Sequence, residues 1–238
     1  MQDYLNVCLI FVPDNFTTEN KRMKKSLKKW VLLLIAAITL PASAMAQDKV
    51  EWDFTMDVVS SYIWRGQKLG NAGLHTNASV AYKGFSFSAW SPIAFDGKDD
   101  DEIDLTLAYE TGNFSISLTD YWLTDGDDEH TLEAQVGYDF GVVAANWYTN
   151  LHDAEKEYAS YFTLTAPFSL LTLDWEAEVG VTPWGTEYYG TSGFTVCDLS
   201  LGASKEIKIT KNFSTTLFAK ASFNPSTENL YGTVGISF

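Results

Sequence analysis

The stretch Leu230-Tyr231-Gly232-Thr233-Val234-Gly235-Ile236-Ser237-Phe238 decides the fold. Its large apolar residues occupy even positions, and small or polar residues occupy the odd positions except for Tyr231. An alternation with a period of two residues predicts a β-strand with one apolar face and one polar face. The stretch ends on an aromatic residue, Phe238, which belongs to the apolar face.

The same alternation recurs along the chain from residue 47 onwards. Most segments reach about 10 residues, which is the length that a tilted strand needs to cross the hydrocarbon layer of a membrane. We predict twelve strands, near residues 50–65, 72–82, 85–94, 102–110, 114–124, 129–139, 142–151, 157–167, 170–182, 194–208, 212–222 and 228–238.

The connections between these segments alternate between short and long. Tight turns are expected at 83–84, 111–113, 140–141, 168–169 and 209–211, whereas longer polar stretches join the other pairs. This layout is typical of outer-membrane proteins. The predicted fold is all-β, a transmembrane antiparallel up-and-down β-barrel of about 12 strands. The alternative is a soluble β-sandwich or barrel, whose apolar faces would point into a packed core.

Outward-facing aromatic residues cluster beside the short turns, as expected for a girdle at one membrane interface. We expect Phe238 to lie at the level of Trp52, where the last strand pairs with the first. Tyr62 and Trp64 are the best candidates for a thinner girdle on the loop side. The predicted girdle beside the short turns contains Trp52, Tyr82, Phe85, Tyr109, Phe114, Tyr138, Phe213 and Phe238.

The N-terminal region carries an export signal. Four lysines precede the apolar run from Trp30 to Leu40, and Ala44-Met45-Ala46 follows it. A basic head, a short apolar core and an Ala-x-Ala end predict a signal peptide over residues 23–46. Residues 1–22 are then an over-long gene start or a short extension, and the barrel spans 47–238.

Charge and cysteine content exclude several classes of protein. The net charge is −15, and residues 1–46 hold six of the 16 basic residues but only three of the 31 acidic ones. A strongly acidic chain disfavours a nucleic-acid partner. Only Cys197 follows the signal peptide, so no disulfide can form within that part of one chain. We expect no cofactor and no metal.

A short motif ends the first predicted strand. Ser61-Tyr62-Ile63-Trp64-Arg65-Gly66 resembles the Ser-x-Tyr-x-x-Arg-Gly signature of the TorF-type porin family of Gram-negative bacteria, and the likeness continues through Glu102-Ile103-Asp104-Leu105. It covers roughly residues 54–122. The resemblance implies an outer-membrane barrel with a pore role and assigns no catalytic residue.

The inward face of the predicted barrel is rich in acids. A lumen lined by acids has a negative potential and favours cations. Alternatively, the acids hydrate a polar interior or pair with the few inward bases. We expect Arg65 to be an ion-pair partner of Asp104 or Asp57 rather than a ligand contact. The predicted lumen-lining residues are Asp53, Asp57, Arg65, Asp104, Glu110, Glu133, Asp139, Asp174, Glu176, Glu178, Asp198 and Lys220.

The longest loop, residues 183–193, is also the most aromatic. Folded inward, its rings Trp184, Tyr188 and Tyr189 would constrict the pore or stack on a flat solute. Folded outward, the loop would bind a partner at the surface, and the simplest alternative is a glycine-rich loop that rests on the rim.

Histidines offer little support for catalysis. Parity places His75 and His152 inward, but no motif combines either with a nucleophile and an orienting group. We therefore expect the chain not to be an enzyme. A barrel-embedded lipid hydrolase is the least favoured alternative.

The predicted function is an outer-membrane channel for passive diffusion of small polar solutes, favouring cations, in a Gram-negative bacterium. The expected partners are outer-membrane lipid, the permeating solutes or cations, and the barrel assembly machinery through the C-terminal strand. The main alternative is a closed barrel with a structural or partner-binding role. Twelve strands enclose a narrow interior, which is compatible with either a channel or a closed barrel.

Overall fold

Fourteen strands are present in the part of the chain that the computed structural model describes, residues 49–97, 102–124, 129–152, 158–211 and 213–238. The predicted signal peptide and extension lie outside these residues. No helix in the described ranges is long and apolar enough to span a membrane. The strands are β1 (Glu51–Val59), β2 (Tyr62–Trp64), β3 (Gln67–Gly70), β4 (Gly73–Tyr82), β5 (Phe85–Ala94), β6 (Glu102–Thr111), β7 (Phe114–Leu123), β8 (Glu129–Asp139), β9 (Ala144–His152), β10 (Ser160–Leu170), β11 (Leu173–Thr182), β12 (Thr195–Lys208), β13 (Ser214–Asn224) and β14 (Asn229–Ser237).

Twelve of these described strands form one closed antiparallel barrel, and β2 and β3 form a separate two-stranded hairpin. β1 pairs with β4 past the hairpin, the strands from β4 to β14 pair in sequence order, and β14 closes the barrel against β1. Closure leaves no free sheet edge, which is the condition for a sheet to survive in a membrane. The predicted fold class and strand number are confirmed.

The two faces of the barrel wall differ in chemistry. Large apolar side chains on alternate positions remain exposed on the outside, such as Phe87 at 48%, Leu107 at 55% and Val234 at 60%. The register places polar partners on the other face, for example Ser88 beside Thr106 and Thr106 beside Thr119. A soluble barrel would bury its apolar face, so this arrangement is that of a membrane barrel.

Short turns join the strands at one end of the barrel. The turn between β10 and β11 was predicted at residues 168–169 but lies at Leu171 and Thr172, which both have positive φ values of 53° and 64°. Two such residues match the twist of a two-residue hairpin. The strands extend this far because Phe168 pairs with Trp175 across the ladder and their rings stack 6.1 Å apart.

The closing seam between β1 and β14 is short. Its register runs from Asp57 opposite Ser237 to Val59 opposite Gly235, and Met56 and Phe238 exchange backbone hydrogen bonds of 2.9 and 3.2 Å. The prediction that Phe238 lies at the level of Trp52 is therefore wrong, since Phe238 pairs four residues further along β1.

The first predicted strand, 50–65, is divided in the structure. β1 ends at Val59, and Ser61 Oγ donates to the Gly232 carbonyl at 2.7 Å. The chain then turns back in the β2–β3 hairpin at Arg65 and Gly66, whose φ values are 47° and 74°. This hairpin, residues 62–70, occupies the lumen.

Candidate functional site

The tip of the β2–β3 hairpin reaches the inner face of the opposite wall. Arg65 Nη1 donates to Glu133 Oε2 at 2.6 Å, and Nη2 donates to Oε1 at 2.8 Å. Both side chains are buried, at 9% and 3% exposure. Two parallel hydrogen bonds between a guanidinium and a carboxylate form the strongest type of protein ion pair. The expected partners Asp104 and Asp57 are therefore wrong, because the hairpin carries Arg65 to β8.

Aromatic rings surround the Arg65 guanidinium. Its Cζ atom lies 4.4 Å from the Trp64 ring centroid, 4.3 Å from that of Tyr148 and 4.9 Å from that of Tyr161. These distances are within the range of cation–π attraction, which is stronger where water is excluded. The charge is thus stabilised by ring faces as well as by Glu133.

Tyrosine hydroxyls complete this hydrogen-bond network. Arg65 Nη1 also donates to Tyr189 Oη at 2.5 Å, and Tyr121 Oη donates to Glu133 Oε1 at 2.9 Å. Burial raises the pKa of Tyr188 to about 12 and also raises that of Tyr189. Burial opposes the charge on Arg65, but Tyr189 and Glu133 outweigh it and raise the pKa of Arg65 above its usual value. The loop tyrosines therefore stay protonated beside a permanent cation.

The backbone of the hairpin tip touches the wall at Gly66. A Cβ atom at this position would overlap the carbonyl oxygen of Cys197 on β12, and φ is +74°. Asn224 Nδ2 from β13 donates to the Gly66 carbonyl at 3.0 Å. Only glycine satisfies both the positive φ and this close approach.

The other side of the hairpin packs against the strands near β1. Tyr62 lies 5.1 Å from His75 and 5.4 Å from Trp90, measured between ring centroids. Trp64 lies 6.1 Å from Tyr121. The hairpin therefore contacts opposite walls of the lumen, and the prediction that Tyr62 and Trp64 form an outer girdle is wrong.

The loop between β11 and β12 separates the three aromatic residues predicted to act together. Tyr189 stacks on Trp64 at 6.2 Å and on Tyr161 at 5.5 Å, and Tyr188 also faces Trp64. Trp184 packs 5.8 Å from Trp147 on the outward face of β9. Two of the three rings thus reinforce the hairpin inside the barrel, and the third lies outside.

The structure divides the inward acids into two groups. Those near the short turns are exposed to the lumen, namely Asp53, Glu110, Asp139, Asp174 and Glu176. Those nearer the loops are partly or fully covered, namely Asp57, Asp104, Glu133, Glu178 and Asp198. Lys220 Nζ lies 3.7 Å from Glu178 Oε1. The lumen is therefore open and acidic in its short-turn half and filled by the hairpin and loop in the other half.

The predicted girdle residues flank the short turns except Phe238, which lies beside Met56 on β1. Trp52, Tyr82, Phe85, Phe114, Tyr138, Phe213 and Phe238 are between 39% and 57% exposed, and Tyr109 is half-buried against Phe85 at 4.6 Å.

His75 faces the lumen as predicted, opposite Asp57 on β1, but His152 does not. A bulge at Leu132 and Glu133 makes His152 pair with Leu132, so His152 shares the outward face and not the lumen. His130 Nδ1 lies 2.9 Å from Asp120 Oδ1, also on the outward face. Within the described ranges, no group of three or more His, Cys, Asp or Glu side chains could hold a metal ion.

Comparisons with known proteins assign no family to the chain. No protein-family model and no curated protein matches the chain. Among solved structures, it is similar to OmpTdeltaL8, a loop L8 deletion mutant of OmpT, an outer membrane protein of Vibrio cholerae. The TM-score is 0.35 and the identity is 9%, over 79% of this chain and 98% of that chain. The barrel architecture rests on the closed twelve-stranded wall and its apolar outer face.

Two expectations change at this point. The TorF-type resemblance gains no support from a family model. The expectation that the chain is not an enzyme is wrong, because a barrel fold does not by itself exclude an enzymatic role.

Proposed function

We propose that this protein is a narrow outer-membrane channel through which small polar solutes diffuse, with a preference for cations. One observation carries the proposal: the short-turn half of the lumen exposes acids on several strands around the barrel. They include Asp53 on β1, Glu110 on β6 and Asp174 on β11. Fixed negative charges within low-dielectric walls raise the local concentration of cations.

The hairpin sets the width of the path in the other half. Its tip contacts the walls at β8, β12 and β13, and the loop tyrosines pack on it. Small polar residues line the open half, such as Ser88, Thr106 and Ser117. A polar entrance that leads to a constriction favours small solutes over large ones.

Recording from the refolded protein in a planar bilayer tests this function. We expect small conductance steps and reversal potentials that favour cations in a salt gradient. Bilayers without steps, or reversal potentials that favour anions, would contradict the proposal.

The substitution Asp174→Asn tests the role of the lumen acids. We expect the ratio of cation to anion permeability to fall by roughly twofold, because one exposed charge leaves the lumen. Asp120→Asn is the matched control, since it removes the same charge from the outward face of β7. Equal effects of the two substitutions would show that the lumen acids do not set selectivity.

A closed barrel with a structural or partner-binding role is the second candidate. The buried Arg65–Glu133 pair favours it, because such a contact holds the hairpin firmly across the lumen. A variant with a displaced hairpin separates the two candidates. If neither the native protein nor that variant conducts, the result supports the closed barrel.

The location belongs to the same proposal. The exposed apolar outer face and the aromatic residues at the short-turn end support insertion in the outer membrane of a Gram-negative bacterium. Export through residues 23–46 and assembly through the C-terminal strand accompany that location. Relation to the TorF-type family is supported by its signature residues Tyr62, Arg65 and Gly66, which build the hairpin.

A further inference from the structure

Buried oxygen atoms gather on the inner wall beneath the hairpin. Asp198 is 1% exposed, Tyr161 is 0% exposed and Ser200 is 7% exposed. Tyr161 lies on β10, and Asp198 and Ser200 lie on β12. We call this group, together with Glu178 and Ser222, the oxygen cluster.

Strand register brings the members of the oxygen cluster together. Glu178 pairs with Ser200, and Ser200 pairs with Ser222, across β11, β12 and β13. Asp198 follows on the same face of β12, and Ser222 Oγ donates to Asp198 Oδ1 at 2.7 Å. Glu178 and Asp198 are diagonal neighbours on the same face, because Gly180, two residues after Glu178, pairs with Asp198.

Tyr161 reaches the cluster because the neighbouring position on β11 is a glycine. Gly180 pairs with Asp198, and a Cβ atom on Gly180 would overlap the Tyr161 hydroxyl. The absence of a side chain at position 180 lets the Tyr161 ring cross β11. Its hydroxyl therefore lies beside the register partner of Asp198.

Three oxygen atoms of the cluster lack a partner. Among the described residues, Asp198 Oδ2, Tyr161 Oη and Ser200 Oγ are buried and accept or donate no hydrogen bond. A buried carboxylate is costly unless it is paired. Two neighbouring carboxylates also repel each other unless a positive charge lies between them. The cluster thus has the features of a cation site.

We propose that the oxygen cluster binds a calcium ion. Two carboxylates supply the charge, and three hydroxyls supply neutral oxygen ligands. Ca²⁺ accepts six to eight oxygens in irregular geometry, whereas Mg²⁺ requires a near-ideal octahedron. The ion enters from the lumen past Glu178, whose side chain is 21% exposed. This site stands whether or not the barrel conducts.

Lys220 gives the proposal a distinctive consequence. Its Nζ atom lies 3.7 Å from Glu178 Oε1 and its side chain is 34% exposed, so it can move away. Lys220 competes with the calcium ion for the same carboxylate. Removal of this lysine therefore strengthens calcium binding, which a purely structural ion pair would not do.

The test uses the refolded protein in detergent, with terbium luminescence excited through its aromatic residues and displaced by calcium. We expect terbium emission that calcium displaces better than magnesium does. Asp198→Asn is expected to weaken calcium binding by about tenfold or more. Lys220→Gln is expected to strengthen it by roughly threefold.

Glu206→Gln is the control, because Glu206 is an exposed acid on the same strand as Asp198 and lies near the short-turn end. Its calcium affinity should equal that of the native protein. Circular dichroism and heat-dependent migration in gels establish folding of each variant. If Asp198→Asn fails to fold, Ser200→Ala carries the test through the same loss of affinity.

Three outcomes would overturn the calcium site. They are emission that calcium does not displace, unchanged affinity in folded Asp198→Asn or Ser200→Ala, and an equal loss in Glu206→Gln. Absence of tighter binding in Lys220→Gln would also contradict it. A silent planar bilayer refutes only the channel proposal.

Discussion

The Gly66→Ala variant is expected to lose the close contact between the hairpin tip and β12 of the barrel wall. The new methyl group would overlap the Cys197 carbonyl oxygen, and alanine is also unfavourable at a φ of +74°. The overlap involves backbone atoms of β12, which cannot rotate away. The tip must therefore move, and its hydrogen bond from Asn224 is lost with it.

Gly190→Ala provides a matched control for this loss. Gly190 has a φ of +62°, but a Cβ atom there meets nothing within 4 Å. Both variants carry the same backbone penalty, so their difference isolates the overlap. We expect Gly66→Ala to be less stable than Gly190→Ala by about 1–3 kcal/mol.

Urea unfolding and single-channel recording measure this difference. A displaced tip widens the path beside β12, so larger conductance steps are expected in Gly66→Ala alone. Equal stability and equal conductance of the two variants would show that the hairpin tip does not seal the wall.

The Arg65→Met variant is expected to show the largest loss of stability. It leaves the Glu133 carboxylate, which is 3% exposed, without its cation. Removal of one partner from a buried ion pair costs about 3–5 kcal/mol, because the remaining charge is uncompensated. The rings of Trp64, Tyr148 and Tyr161 also lose the guanidinium between them.

A double substitution separates pairing from packing. Arg65→Met combined with Glu133→Leu should recover most of the stability, since no unpaired charge remains. Lys68→Met is the control, because Lys68 is an exposed cation on the same hairpin whose ammonium group donates to Asn71 Oδ1. Its stability should change by less than about 0.5 kcal/mol.

Urea unfolding of the four proteins, with conductance as a second measurement, decides this prediction. A channel that the hairpin constricts should conduct more in Arg65→Met than in the native protein. If Arg65→Met is as stable as Lys68→Met, the buried pair does not hold the hairpin.

Much of the barrel was predictable because its signals are local. Alternation in stretches such as Leu230–Phe238 marks both the strand and its outward face, and β4, β5 and β8 begin and end within one residue of their predicted limits. The turn at Leu171 and Thr172 was missed because neither residue is a usual turn former. The stacking of Phe168 on Trp175 extends those strands beyond the predicted end.

The hairpin was harder to predict, although one signal was present. Arg65 and Gly66 follow a run of alternating residues, and a glycine in the second turn position fits a two-residue hairpin. The alternation of Tyr62 and Trp64 extends the pattern of β1, so it favoured one long strand. Nothing local distinguishes aromatic residues that face lipid from those that face the lumen.

Periodicity along the chain is enough to establish an inside-out barrel with twelve wall strands, because each strand must present one face to each environment. The partner of Arg65 could be found only in the closed barrel. Glu133 lies 68 residues away in the sequence, and closure brings the two together across the lumen. The bulges at Glu133 and Gly180 likewise depend on pairing between strands. The bulge at Glu133 moves His152 to the outward face of the wall. Local pattern therefore determines the wall, and long-range contact determines what fills it.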